Sequence, residues 1–148
     1  MSNVRIDPAL PGDLEAIRAL LASLQLPASD VGAGSQRFVI ARDGGDVVGC
    51  AGLEPYGRAA LLRSLAVTPA RQGERIGQAL YERILEEARA VGAEELYLLT
   101  TTAERLFARL GFERVAREAV PADVRASAEF ASLCPATAVC MRRSLGVG

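Results

Sequence analysis

Residues 68–85 read TPARQGERIGQALYERIL, a Pro-led turn carrying Gly and Arg that runs straight into a helical pattern. Just upstream, ALLRSLAV over residues 60–67 is an almost unbroken apolar run of strand length, interrupted by Arg63 and Ser64. Downstream, Ile76, Leu80, Ile84, Ala88 and Val91 recur at intervals of three and four residues until Gly92. Strand, glycine-containing turn and amphipathic helix follow one another without a break. At such a junction the first amide N–H groups of the helix have no partner inside it and lie at the positive end of its dipole, which suits an anion. Arg71 and Arg75 add charge that acts only at short range under salt screening. Taken alone, a turn that happens to precede a core helix has the same pattern.

Working outward, RFVIARDGGDVVGCAGLEPYG (37–57) holds two apolar runs around the turn residues DGGD, the signature of a hairpin. VRI (4–6) is a short extended start. LPGDLEAIRALLASLQLP (10–27) is a helix, with Leu14, Ile17, Leu21 and Leu24 on one stripe and Pro27 as its stop. ASDVGAGSQ (28–36) reads as an irregular loop. After the second helix come a strand in EELYLLTT, a short helix in AERLFARLG stopped by Gly111, and a strand in FERVARE. A loop with a helical turn spans 121–134, and AVCMRRSL is a closing strand. Consecutive β runs followed by a β-α-β-α-β tail predict a mixed sheet with helices on both faces. No repeat, linker or low-complexity segment interrupts residues 1–148, which read as one domain.

Composition excludes several functions. Apolar residues make up 50% of the 148, enough for a single core. Lys and Arg number 17 against 18 Asp and Glu, a net charge of −1, so no nucleic-acid footprint covers the surface. No apolar run is long enough to span a membrane, and MSNVRIDPAL lacks the apolar core of a signal peptide, which leads us to expect a cytoplasmic protein. Cys50, Cys134 and Cys140 form an odd set without a CxxC pair and suit reduced thiols. A three-thiol site for a soft ion such as trivalent arsenic is the alternative, and otherwise no metal is expected. The chain has no histidine, which removes Ser-His and Cys-His catalysis and leaves carboxylate, tyrosine or water as general base. Neither GK[ST] nor GxGxxG is present, so the turn at 68–76 is neither a Walker loop nor a dinucleotide fingerprint.

Gln72-Gly73-Glu74-Arg75-Ile76-Gly77 resembles the pyrophosphate loop Q/R-x-x-G-x-G/A of the GNAT superfamily of acetyl-CoA-dependent N-acetyltransferases, matching its first and last places. Arg75 stands at the middle glycine, a departure that implies a reshaped loop with the guanidinium facing phosphate, or an impaired cofactor site. LLRSLAVTPARQ (61–72) resembles the superfamily's central strand, and AERLFARLGFERV (103–115) its late helix and strand, so the likeness covers residues 3–143. YLLTTTAERLFARLGF, VPADVR and SAEFASLCPATAVCM further resemble the arsenic-resistance N-acetyltransferases of bacterial ars operons and the acetyltransferase domain of N-acetylglutamate synthases. The fold this implies is α/β (α+β): a mixed, mainly antiparallel sheet of about six to seven strands, helices on both faces, and a splay after the fourth strand.

The reaction implied is acetyl transfer from acetyl-CoA to the primary amine of a small amino acid or amino-acid-like toxin, glutamate-like and linked to arsenic resistance. A homodimer is ordinary for such proteins. By resemblance, backbone groups of Leu65, Ala66 and Val67 contact acetyl-CoA, and Arg71, Gln72, Gly73, Glu74, Arg75, Ile76 and Gly77 hold its diphosphate. Glu54, at the end of CAGLEP beside the splay, is the candidate catalytic base; its other reading is a strand-end carboxylate paired with Arg58 or Arg63. Phe107 occupies the place of the superfamily's frequent Tyr acid, so Tyr56, Ser132 or water would have to reprotonate the thiolate, unless it leaves unaided. Arg63 and Arg37 are candidates for a substrate carboxylate, because guanidinium matches it with two parallel hydrogen bonds, and Arg63 sits in an apolar strand where a charge needs a partner or a ligand. Phe130, Ser132 and Cys134 are candidates to close the amine pocket, or else a packed cover over the sheet. A catalytically silent acyl-CoA-binding domain is the competing reading, resting on Arg75 and Phe107.

Overall fold

The computed structural model describes residues 4–146. Among the described residues seven strands occur: β1 (Val4–Pro8), β2 (Arg37–Asp43), β3 (Asp46–Tyr56), β4 (Ala59–Val67), β5 (Glu95–Thr100), β6 (Glu113–Arg114) and β7 (Val139–Ser144), in the sheet order β1-β2-β3-β4-β5-β7-β6. The helices are α1 (Leu14–Ser23), α2 (Ile76–Ala90), α3 (Glu104–Arg109) and α4 (Ala122–Arg125). Pairing is antiparallel for β1–β2, β2–β3, β5–β7 and β6–β7, and parallel for β4–β5. A parallel pair needs a crossover, and α2 is the one that joins β4 to β5. The mixed sheet expected from the sequence is therefore present, with seven strands. The described residues fall into two compact units: the chain up to Glu54 with Leu62–Glu87, and Pro55–Leu61 with Ala88 onward.

In the first unit, the hairpin register sets which side chains meet which helix. Ile40 pairs with Cys50 and Phe38 with Gly52, and since alternate residues of a strand share a face, these point one way. On that side Ile17 and Leu21 of α1 join Phe38, Ile40, Cys50, Val31 and Ala66 in one core. Ile17 and Leu21 have no exposed surface, and full burial of such a side chain contributes roughly 1.5–3 kcal/mol. Gly49, paired with Ala41, points the other way, where a Cβ would stand 2.9 Å from Leu80 Cδ1 and 3.4 Å from Ile76 Cγ2. Thus α2 covers the face opposite α1, and it lies close because Gly49 has no side chain. At the end of α1, Gln25 turns left-handed (φ 60°), while Leu26 N donates to Leu21 O and Gln25 N to Ala22 O. This closes the helix just before Pro27.

In the second unit, β7 is bonded along its length to β5, and the parallel ladder joins Ala59–Leu61 to Glu95–Tyr97. Its core gathers Ala59, Leu61, Tyr97, Val120, Val124, Phe130 and Cys140. The strand expected over FERVARE is much shorter, only Glu113–Arg114. Val115 N makes a last bond to Cys140 O, after which Arg117–Ala119 form a 3-10 turn. The chain leaves the sheet because Arg117 Nη2 donates to the carbonyls of Pro135, Ala136 and Ala138, while Val120 enters the core. The segment 121–134, expected as a loop with a helical turn, holds α4 and also a π-helical turn, Glu129–Leu133.

Candidate functional site

The strand-to-helix junction over residues 68–76 forms a fastened loop. Thr68 N donates to Val48 O at 2.9 Å, Pro69–Arg71 make one 3-10 turn, and Gln72 Nε2 donates to Val67 O at 3.1 Å. Arg71 is held between two carboxylates, with Nη1 2.7 Å from Asp43 Oδ2 and Nε 3.0 Å from Glu74 Oε1. Gly73 (φ 87°) and Arg75 (φ 65°) both take the left-handed backbone. Arg75 thus keeps the conformation a glycine would adopt at that place, at a cost of about 1–2 kcal/mol for a residue with a Cβ. Its carbonyl accepts the first helical bond, from Ala79 N at 3.1 Å, so it caps α2 and leaves the N–H groups of Ile76, Gly77 and Gln78 without helical acceptors. The Arg75 side chain is exposed and, among the described residues, forms no ion pair.

Val67, Arg71, Gln72, Gly73, Arg75, Ile76 and Gly77 line a pocket of about 330 Å³. Unpartnered helix N–H groups, two left-handed residues and one unneutralised guanidinium suit the phosphates of a bound nucleotide cofactor. Six of these seven are residues that the resemblance assigned to the loop, and Val67 is one that it assigned to the strand before it. Glu74 turns its carboxylate to Arg71. Leu65 and Val67 are half-buried at the end of β4, and Ala66 is buried in the core under α1.

A second cluster lies deeper in the same unit. The Arg63 side chain is 0% exposed, yet several of its donors meet protein acceptors. Nη1 reaches Asp30 Oδ2 at 2.5 Å and Glu54 Oε2 at 2.7 Å, Nη2 reaches Asp30 Oδ1 at 2.7 Å, and Nε reaches Ser64 Oγ at 3.0 Å. Gln36 Nε2 donates to Glu54 Oε2 at 3.2 Å and to Asp30 Oδ2 at 3.3 Å. The Phe38 ring lies 6.0 Å from the guanidinium carbon. Burial pushes the Asp30 carboxyl up, but the hydrogen bonds and charge of Arg63 outweigh it and hold the group below its ordinary value. Ser64 has φ 59° in mid-strand, and its carbonyl accepts from Cys50 Sγ at 3.3 Å.

The structure therefore brings Glu54 and Arg63 together and adds two groups that the sequence did not single out, Asp30 and Gln36. Arg58 pairs with Glu94 at 3.4 Å. Arg37 is exposed at the start of β2, 4.0 Å from Glu87. In the second unit, Phe130 is buried beneath Arg117, whose guanidinium carbon is 5.9 Å from the ring centre. Ser132 Oγ donates to Ala128 O at 3.4 Å, and Cys134 Sγ lies 3.8 Å from Glu129 Oε1. Phe107 packs edge-on against Phe112, with centroids 5.6 Å apart, as a core residue. Burial pushes the Cys50 thiol up to about 12 and Cys140 to about 11, so both stay protonated at neutral pH. Each belongs to a different core, Cys50 under α1 and Cys140 in the second unit.

Residues 34–114 match the acetyltransferase (GNAT) domain family, and the chain belongs to it. Within that class, the chain is similar to amino-acid acetyltransferases. That of Ralstonia nicotianae is 34% identical over 90 residues, 60% of this chain and 20% of that protein. That of Mycobacterium tuberculosis is 37% identical over 81 residues, 54% of this chain and 46% of that protein. The chain thus spans less than half the length of these relatives. Among solved structures, N-acetylglutamate synthase from Neisseria gonorrhoeae, complexed with coenzyme A and L-arginine, superposes with a TM-score of 0.79 at 25% identity, over 99% of this chain and 34% of that one. Rv2747 from Mycobacterium tuberculosis, in a complex that includes CoA, gives 0.74 at 26% identity over 95% of this chain and 98% of that one.

Proposed function

We propose that this chain moves the acetyl group of acetyl-CoA to the primary amine of a small amino acid or an amino-acid-like compound. The observation that carries the reading is the pocket at Val67–Gly77, whose left-handed residues and helix start fit a diphosphate, in a chain of the acetyltransferase family. The names of the relatives support the amino-acid class of the acceptor. The run Ser127–Met141 supports a narrower reading, a glutamate-like toxin in arsenic resistance. Three thiols outside any disulfide suit a reducing, cytoplasmic setting.

In the reaction the amine lone pair attacks the thioester carbonyl, a C–N bond forms, the C–S bond breaks, and CoA departs as thiolate. An amine with a pKa near 10, about that of lysine, is mostly protonated at neutral pH, so a base must take its proton. Glu54 is the proposed base, directly or through water, with Arg63 and Gln36 holding its Oε2. Gly73, Arg75 and the first N–H groups of α2 hold the diphosphate, and the backbone of Leu65, Ala66 and Val67 holds the chain leading to the thioester. Phe107 has no proton to give, so the thiolate leaves unaided, with an intrinsic pKa of about 8.5, or is reprotonated by Tyr56, Ser132 or water.

Release of free CoA thiol from acetyl-CoA, measured against a panel of amino acids and of phosphorus- and arsenic-containing glutamate analogues, tests the reading. Turnover confined to one amino-acid class is the expected result. A buried Phe107 favours a second reading, a silent acyl-CoA-binding domain, for which CoA binding without turnover is the mark. Glu54→Gln should lower kcat/KM at neutral pH by about 100-fold if Glu54 is the base, within the usual worth of general base catalysis. Unchanged kcat/KM would remove it from that role.

A further inference from the structure

A guanidinium without exposed side-chain surface, set in an apolar strand, needs an anion beside it whatever the state of the protein. For Arg63 one such anion is Asp30, which accepts two parallel hydrogen bonds, Nη1 to Oδ2 at 2.5 Å and Nη2 to Oδ1 at 2.7 Å. This is the fork-to-fork geometry with which arginine takes up a free carboxylate. Asp30 belongs to no helix or strand but to the turns between α1 and β2, and its side chain is 16% exposed against 0% for Arg63. It stands between the buried cation and solvent. Glu54, a further carboxylate on Arg63, is fixed on β3. The backbone next to Asp30 is also fixed: Val31 is buried in the core, and its carbonyl accepts from Arg18 Nη2 at 2.8 Å. Asp30 therefore reaches Arg63 through two side-chain torsions from an anchored backbone.

We infer that Arg63 is a carboxylate-binding subsite which the chain's own Asp30 fills in the resting state, and that the carboxylate of an amino-acid acceptor binds there by replacing Asp30. The identity of the incoming carboxylate rests on the acetyl-transfer reading; the subsite itself does not. The exchange is close to balanced, because one bidentate carboxylate leaves for water as another enters and the guanidinium is never left bare. Charged and polar groups facing Asp30 are Arg63 of β4, Glu54 of β3 and Gln36 of its own loop. Arg63 keeps Asp30 ionised through the neutral range, so it competes with substrate at every working pH. An acceptor without a carboxylate leaves Asp30 in place, and one with a carboxylate has to displace it.

The test compares wild type with Asp30→Ala and the near-isosteric Asp30→Asn. The first readout is thermal stability titrated with sodium acetate, against sodium chloride at equal ionic strength. In Asp30→Ala, acetate at ten times its Kd should raise Tm by about 4 °C, while wild type responds to the two salts alike. The second is KM for an accepted amino acid and for its decarboxylated amine. Asp30→Ala should lower KM for the amino acid about tenfold relative to the amine, since the internal competitor is gone. Should Asp30→Ala not fold, Asp30→Asn carries both readouts, with smaller shifts of the same sign. The inference is overturned if acetate stabilises the variants no more than chloride does. It is equally overturned if KM for the amino acid stays level or rises relative to the amine. If no form turns over either acceptor, the acetyl-transfer reading falls and the acetate titration decides the subsite.

Discussion

Arg71 Nη1 lies 2.7 Å from Asp43 Oδ2, which ties the loop after β4 back to the end of β2. Glu74 takes its Nε, so Arg71 is neutralised within the protein, and the exposed Arg75 is the cation that we propose faces a phosphate. Arg75→Ala should therefore weaken CoA binding by about tenfold and flatten its salt dependence, as loss of a charged contact to phosphate does. Calorimetric titration at two salt concentrations checks this. Equal losses for CoA and for pantetheine, which has no diphosphate, would count against a phosphate contact.

The same position separates affinity from stability. At φ 65° glycine carries no Cβ penalty, so Arg75→Gly should stabilise the fold by about 1 kcal/mol while it weakens CoA binding. A urea melt and a CoA titration of one preparation should move in opposite directions. A variant less stable than wild type would show that the arginine's contacts outweigh its backbone cost.

Gly49 sets how closely α2 approaches the sheet. A Cβ there would stand 2.9 Å from Leu80 Cδ1 and 3.1 Å from the Ala66 carbonyl, and the carbonyl belongs to β4 and cannot move aside cheaply. Gly49→Ala should cost about 2 kcal/mol of stability, in the range for overpacked cores. The midpoint of urea unfolding measures it, and an unchanged midpoint would mean that α2 has room to shift.

Removing the buried cation is costlier. Arg63→Met leaves Asp30 and Glu54 as inward carboxylates without their shared guanidinium, and should cost about 3–5 kcal/mol. The acid side of the stability profile reads the same cluster. Asp30 has a folded-state pKa below its ordinary 3.8, so its contribution is present above pH 3.8 and is lost as pH falls through the lower folded value. Asp30→Asn should therefore flatten the loss of stability below pH 3.8, as seen in urea melts at several acid pH values. A profile as steep as that of wild type would place the acid sensitivity elsewhere.

The thiols give a test on the alkaline side. Cys50 and Cys140 hold their protons to about 12 and about 11 in the folded chain, against an ordinary 9.0, so folded stability falls as pH rises above 9.0. At pH 8 a thiol reagent should label Cys134, the half-buried one, quickly and the other two only on unfolding. Mass spectrometry of the labelled peptides decides it; rapid labelling of all three would contradict the burial of the two cores.

Much of this protein was legible from local pattern. The stripe Ile76–Leu80–Ile84 announced α2, DGGD the hairpin, and Gly92 and Gly111 the ends of two helices, because each of these depends on neighbours in the chain. The junction from the turn at Pro69–Arg71 to the start of α2 was legible for the same reason, a turn and a helix start being contiguous. The shortness of β6 was not, since it follows from Arg117 reaching carbonyls 18 to 21 residues away. Nor was the left-handed backbone at Arg75, a conformation that its side chain disfavours and the surrounding loop imposes.

Sequence alone determined that Arg63 sits in an apolar strand and must have an anion or a ligand, because the energetic need follows from residue type and burial. Which anion answers that need was decided only by the tertiary structure. Glu54 is nine residues from Arg63 along the chain and Asp30 is 33, in a loop without periodicity to read. Only the path by which Val31 enters the core brings the Asp30 carboxylate onto the guanidinium, and a long-range pairing of that kind has no signature in local order.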